Sequence, residues 1–165
     1  MKTASISELK QELQYRSDKE IMELCLQLAR FKKENKELLT YLLFEAQDEE
    51  AYTAGVKQML EEAFKEIHTT NLYFAKKNLR RILRQLSKNI KYSGNKQTEA
   101  ALLIYYCKLL KASGINLQKS TMINNLFQQQ LKKIKAAIAG LHEDLQYDLL
   151  NDLKNVQVSD TTKAS

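Results

Sequence analysis

The sequence predicts an all-α protein of about eight helices, and three observations carry that expectation. The chain contains no proline and only four glycines, so little in it interrupts a helix. Leu, Lys, Glu, Gln and Ala dominate, the residues that lose least on entering a helix. Apolar residues also recur three and four positions apart over long stretches, the period of an amphipathic helix. At 165 residues and 44% hydrophobic content the chain can close one core. A single domain over 1–156 is therefore expected, followed by a flexible tail over 157–165 too poor in apolar groups to fold onto anything.

The elements follow in order. Ser5 and Glu8 form a reciprocal capping box that opens a first short helix with Ile6, Leu9 and Leu13 on its apolar edge. The same pattern at Ser17 and Glu20 opens a second, in which Ile21, Leu24, Cys25, Leu28 and Phe31 keep helical spacing. Asn35 is positioned to cap a third helix carrying Leu38, Leu39, Leu42 and Leu43. Asp48 can cap a fourth carrying Tyr52, Val56, Met59, Leu60, Ala63, Phe64 and Ile67.

A fifth helix follows Thr69, Thr70 and Asn71 and ends near Tyr92, where Ser93 and Gly94 supply a left-handed terminus. The sixth, over 96–112, is apolar on nearly every side and is the predicted centre of the core. After Gly114, Ile123, Leu126, Phe127, Leu131, Ile134 and Ile138 mark a seventh that stops near Gly140; Leu145, Leu149, Leu153 and Val156 mark an eighth. Helices two to seven can be grouped as three antiparallel pairs, a pattern that suits either an irregular bundle or a short solenoid-like array.

The leading helix with Leu9 and Leu13, the Ser17-x-x-Glu20-Ile21 start, the paired helices and the Tyr105-Tyr106 helix together resemble a family of small, uncharacterised, all-helical bacterial proteins. The resemblance covers about residues 5–112. It implies the all-helical fold and no activity, because the family has none assigned.

Reacting groups are not evident. His68 and His142 are far apart and neither has a thiolate or second imidazole at ligand spacing, so no metal site is expected. His142 reads as a surface residue at a helix start. The carboxylates Glu45, Asp48, Glu49 and Glu50 read as a capped turn that favours the following helix dipole. The glycines are isolated, which excludes a phosphate-cradling loop, and no nucleophile elbow occurs. No catalytic residue, cofactor or metal is predicted. Cys25 and Cys107 lie within apolar patterns and are expected to behave as small buried hydrophobes, without a disulfide. The N-terminus lacks the apolar core of a secretory signal and the longest apolar run is eight residues, so a soluble cytoplasmic protein is expected.

Charge is the informative feature. The formal total of +6 conceals a net −4 over residues 1–71, +13 over 72–140 and −3 over 141–165. Glu99 is the sole carboxylate of the basic segment, so its cations have almost no partner on their own helices. On the fifth helix, Lys77, Arg80, Arg81, Arg84, Lys88 and Lys91 fall within roughly a 100° arc. Ala75, Leu79, Ile82, Leu83, Leu86 and Ile90 take the opposite side. Tyr73 projects to the edge of this ridge and Phe74 and Tyr92 flank it, offering planar groups beside cations. Lys132, Lys133 and Lys135 of the seventh helix extend the surface if the two helices adjoin.

These residues suit a non-catalytic binding or scaffold module. Tyr73, Lys77, Arg80, Arg81, Arg84, Lys88 and Lys91 are the candidates for sequence-independent binding of nucleic acid or another polyanion. An acidic protein partner would fit the same charge. Self-association would pair the acidic and basic parts of two copies. The ridge can alternatively dock on the acidic faces of helices two to four through Glu34, Glu37, Glu61, Glu62 and Glu66.

Overall fold

Short polar side chains set most of the helix starts, as the sequence predicts. The computed structural model describes residues 1–158, and its helices are α1 (Ile6–Gln14), α2 (Asp18–Phe31), α3 (Lys33–Thr40), α4 (Glu49–Lys65), α5 (Leu72–Ser93), α6 (Lys96–Ala112), α7 (Thr121–Ala139) and α8 (Glu143–Val158). Both capping boxes form: Ser5 with Glu8, and Ser17 with Glu20. In each, the serine backbone amide donates to the glutamate, which holds the carboxyls of Glu8 and Glu20 below their ordinary range. Asp48, Asn71, Asn95 and Ser120 cap α4, α5, α6 and α7. No strand occurs among the described residues. Of the predicted tail, Gln157 and Val158 belong to α8, and 159–165 lie outside the described residues.

The chain forms two compact units, Met1–Phe44 and Glu45–Ser165. In the first, α2 packs on α3. Tyr41, at the start of a π-helical turn over Tyr41–Glu45, is its one buried side chain among the described residues. Two expectations are corrected here. Asn35 does not cap α3; the helix starts earlier, at Lys33, and the Asn35 amide donates to the carbonyl of Leu28 at 2.9 Å. That carbonyl, in the last turn of α2, lacks a helical donor, and the side chain fills the gap. Cys25 is exposed rather than buried. The helices of this unit are short and only partly cover one another, so the helical spacing is present but its apolar stripe stays open. Leu28 and Phe31 are 60% and 78% exposed.

The second unit is a bundle around a central helix. α6 is in contact with α4, α5, α7 and α8, which separates it from a solenoid, where each helix pair touches only its sequence neighbours. Its nearly all-round apolar surface explains the position: Leu102, Leu110 and Tyr106 are fully buried. The Tyr106 ring meets Phe64 of α4 edge to face, with ring centres 5.3 Å apart. Burial pushes the Cys107 thiol up to about 12 and raises the Tyr106 hydroxyl above its ordinary value.

Polar links fix the register of this bundle. Glu49, in the first turn of α4, accepts from Ser93 at the end of α5 and, at 2.7 Å, from the buried Thr98 hydroxyl of α6. The Tyr52 hydroxyl donates to the Asn89 carbonyl of α5 at 3.0 Å. Glu61 accepts from the Tyr105 hydroxyl of α6, a bond that raises the Tyr105 pKa. Two of the four carboxylates of α4, Glu49 and Glu61, are thus engaged by hydroxyls within the bundle, while Glu50 and Glu62 are exposed. Among the described residues no helix is long and apolar enough to cross a membrane.

Candidate nucleic-acid interface

α5 is built to present two faces. Ala75, Leu79, Ile82 and Leu86 are buried against the bundle, which fixes the rotation of the helix and turns its cations outward. Asn71 caps the N-terminal amides, accepting from Tyr73 at 3.0 Å and Phe74 at 3.3 Å. Gly94 closes the far end in the left-handed region, with φ of 65°. The result is a rigid basic helix of 22 residues, about 33 Å long.

Lys77, Arg80, Arg81, Arg84 and Lys91 are exposed, and Lys88 is half-buried. Arg81 approaches Glu66 at 3.9 Å, with both side chains well exposed, so this contact contributes little. Among the described residues neither Arg80 nor Arg84 has an ion pair. Glu62 lies against Gln58, and within the first unit Glu37 pairs with Lys33. Of the carboxylates of the second unit considered for docking, Glu66 reaches the ridge through Arg81 and Glu61 is taken by the Tyr105 hydroxyl.

The ridge does not stand alone. A groove of about 670 Å³ runs between α5 and α7. Tyr73, Lys76, Lys77, Arg80, Leu83 and Arg84 of α5 line one wall; Leu126, Gln129, Gln130 and Lys133 of α7 line the other. The spacing on each helix is three and four, so each wall is one helical stripe. Five of the lining residues are cationic and none is a carboxylate. A second groove, of about 370 Å³, continues along α5 and is lined by Leu83, Arg84, Ser87, Lys88 and Lys91. Every candidate except Arg81 therefore lines one of two grooves that share Leu83 and Arg84.

No known protein family, curated protein or solved structure matches the chain.

The Lys76 ammonium has soft partners, the Met122 sulfur at 3.1 Å and the Tyr73 ring at 6.0 Å. Tyr73 is 66% exposed and touches Phe74 edge to face, at 5.5 Å between ring centres. Of the three lysines predicted on α7, Lys133 lines the groove, whereas Lys132 and Lys135 are exposed elsewhere on the helix. Lys76, Leu126, Gln129 and Gln130 were not candidates from sequence. The signal available was the stripe of Leu126, Gln129, Gln130 and Lys133 at helical spacing, which interrupts the apolar face of α7 with amides. Gln130 is 4% exposed; its Nε2 donates to the Leu126 carbonyl at 3.1 Å, while its Oε1 is buried with no donor among the described residues.

Other residue clusters offer less chemistry. Among the described residues no three His, Cys, Asp or Glu side chains group so as to hold a metal ion. His142 is exposed just before α8, with Nδ1 3.5 Å from Asp144.

Proposed function

We propose that the protein is a non-catalytic helical binding module whose ligand is the sugar-phosphate backbone of nucleic acid, held without base readout along α5. One observation carries this reading: five cations line the α5–α7 groove with no carboxylate among them. Such a surface concentrates polyanions and releases their counterions on contact. Arg80 and Arg84 support phosphate over carboxylate ligands, because a planar guanidinium donates two parallel bonds to a phosphate. The long, straight run of cations suits a repeating anion more than a compact one.

The test is binding of labelled nucleic acid across a salt series. Wild type is expected to bind at low salt with a log-log slope between about −3 and −5, the range for some five neutralised phosphates. Arg80→Glu with Arg84→Glu lowers affinity at least tenfold and flattens the slope. Absence of binding at low salt, or an unaffected double variant, would overturn the proposal.

A further inference from the structure

Resting on that reading, we infer that the α5–α7 groove seats a single strand, with unpaired bases on its floor and phosphates on its rims. Among the lining residues Leu126 and Gln130 are buried and Leu83 and Lys76 half-buried; the two leucines and the Gln130 amide form the floor, with the Lys76 ammonium held beside it by Met122. Lys77, Arg80, Arg84 and Lys133 are exposed and form the rims. A ligand matched to this cross-section has an apolar, hydrogen-bonding centre between two lines of negative charge or beside one. A nucleotide with its base unpaired has that form.

A duplex does not. Its base faces are stacked inside and its phosphates lie on a convex surface, so it would meet the rims and leave the floor empty. Two features of the groove are specific to a free base. Tyr73 offers a ring two-thirds exposed beside the cations, and stacking on an aromatic is the sequence-tolerant contact of single-strand binders. Gln130 Oε1 is a buried acceptor without a donor, a costly condition in a low-dielectric site. The atom is sealed from solvent in the unbound groove, so the Gln130 side chain must turn toward the ligand; an unpaired base edge, or the 2′-hydroxyl of RNA, then carries the missing donor, whereas a paired base has already committed its Watson–Crick edge. The second groove, lined by Lys88 and Lys91, extends the track toward the C-terminal end of α5.

The experiment compares three probes on the full chain by fluorescence anisotropy: a labelled single-stranded 12-mer as DNA and as RNA, the same sequence as a duplex, and heparin, which has charge but no bases. The single strand is expected to bind at least tenfold more tightly than the duplex. Tyr73→Ala lowers single-strand affinity by about tenfold or more and leaves heparin binding within twofold, and Tyr73→Phe restores the single-strand affinity. Gln130→Leu raises the melting temperature, since the orphaned acceptor is removed, yet weakens the single strand several-fold. RNA exceeding DNA in affinity, with the difference abolished in Gln130→Leu, identifies the 2′-hydroxyl as the donor.

Equal affinity for duplex, heparin and single strand, with Tyr73→Ala silent, would overturn the seat while leaving the polyanion reading intact. Failure of all three probes would overturn both.

Discussion

Cys107 and Cys25 show how one residue type acquires opposite properties. Cys107 is fully buried in α6 and its thiol is held up to about 12 by desolvation, while Cys25 is exposed. Only the thiolate reacts with disulfide reagents. In the native protein at pH 8 one thiol is therefore expected to react with Ellman's reagent, and two after denaturation; two fast thiols in the folded state would contradict the burial. The same shift bears on stability. The unfolded thiol loses its proton near its reference value of 9.0 and the folded one only near 12, so over that window the native state binds more protons. Stability is fully present below pH 9 and falls as pH rises through the window, by about 1.4 kcal/mol per pH unit for this group. The raised Tyr106 hydroxyl adds a loss of the same sign above pH 10. Urea midpoints at pH 8, 9 and 10 check this, with Cys107→Ala expected to remove the decline between 9 and 10.

Among the elements, helix starts were legible wherever the information is local. Ser5 with Glu8, Ser17 with Glu20, and Asp48 all act within one turn, and all three cap as the sequence indicates. Asn35 failed as a cap because its partner, the Leu28 carbonyl, belongs to the previous helix. Glu49 shows the same limit on a larger scale. Its sequence position suits the dipole of α4, but its hydroxyl donors come from Ser93 and Thr98, 44 and 49 residues further on. Since it links the starts of α4 and α6 with the end of α5, Glu49→Ala is expected to lower unfolding free energy by about 2–3 kcal/mol, as loss of a charged acceptor leaves a buried hydroxyl unpaired. Glu49→Gln, which keeps one acceptor, costs about 1 kcal/mol. An urea midpoint unchanged in Glu49→Ala would show that the link contributes nothing. The candidate site obeys the same rule. The α5 ridge was readable from its own period, whereas the facing α7 stripe becomes a wall only once α6 has placed both helices.

At the scale of the whole molecule, burial is distributed unevenly between the two units. In Met1–Phe44 the three helices are 9, 14 and 8 residues long and Tyr41 is the only buried side chain among the described residues. Isolated helices shorter than about 12–15 residues are marginal in water, and chains near 40 residues seldom bury enough surface to fold unaided. Glu45–Ser165 has the central helix, its four neighbours and the fully buried Leu60, Leu79, Leu102, Tyr106 and Ile134. A fragment of residues 45–165 is therefore expected to be helical by circular dichroism and to melt in one cooperative transition, and a fragment of residues 1–44 to be weakly helical with no transition. Both walls of the groove belong to the larger fragment, so it should also keep single-strand affinity within about twofold of the full chain. A non-cooperative melt would show that its core is insufficient alone. Cooperative melting with lost binding would instead place part of the ligand contact in the first 44 residues, where the exposed Leu28 and Phe31 would be the first side chains to substitute.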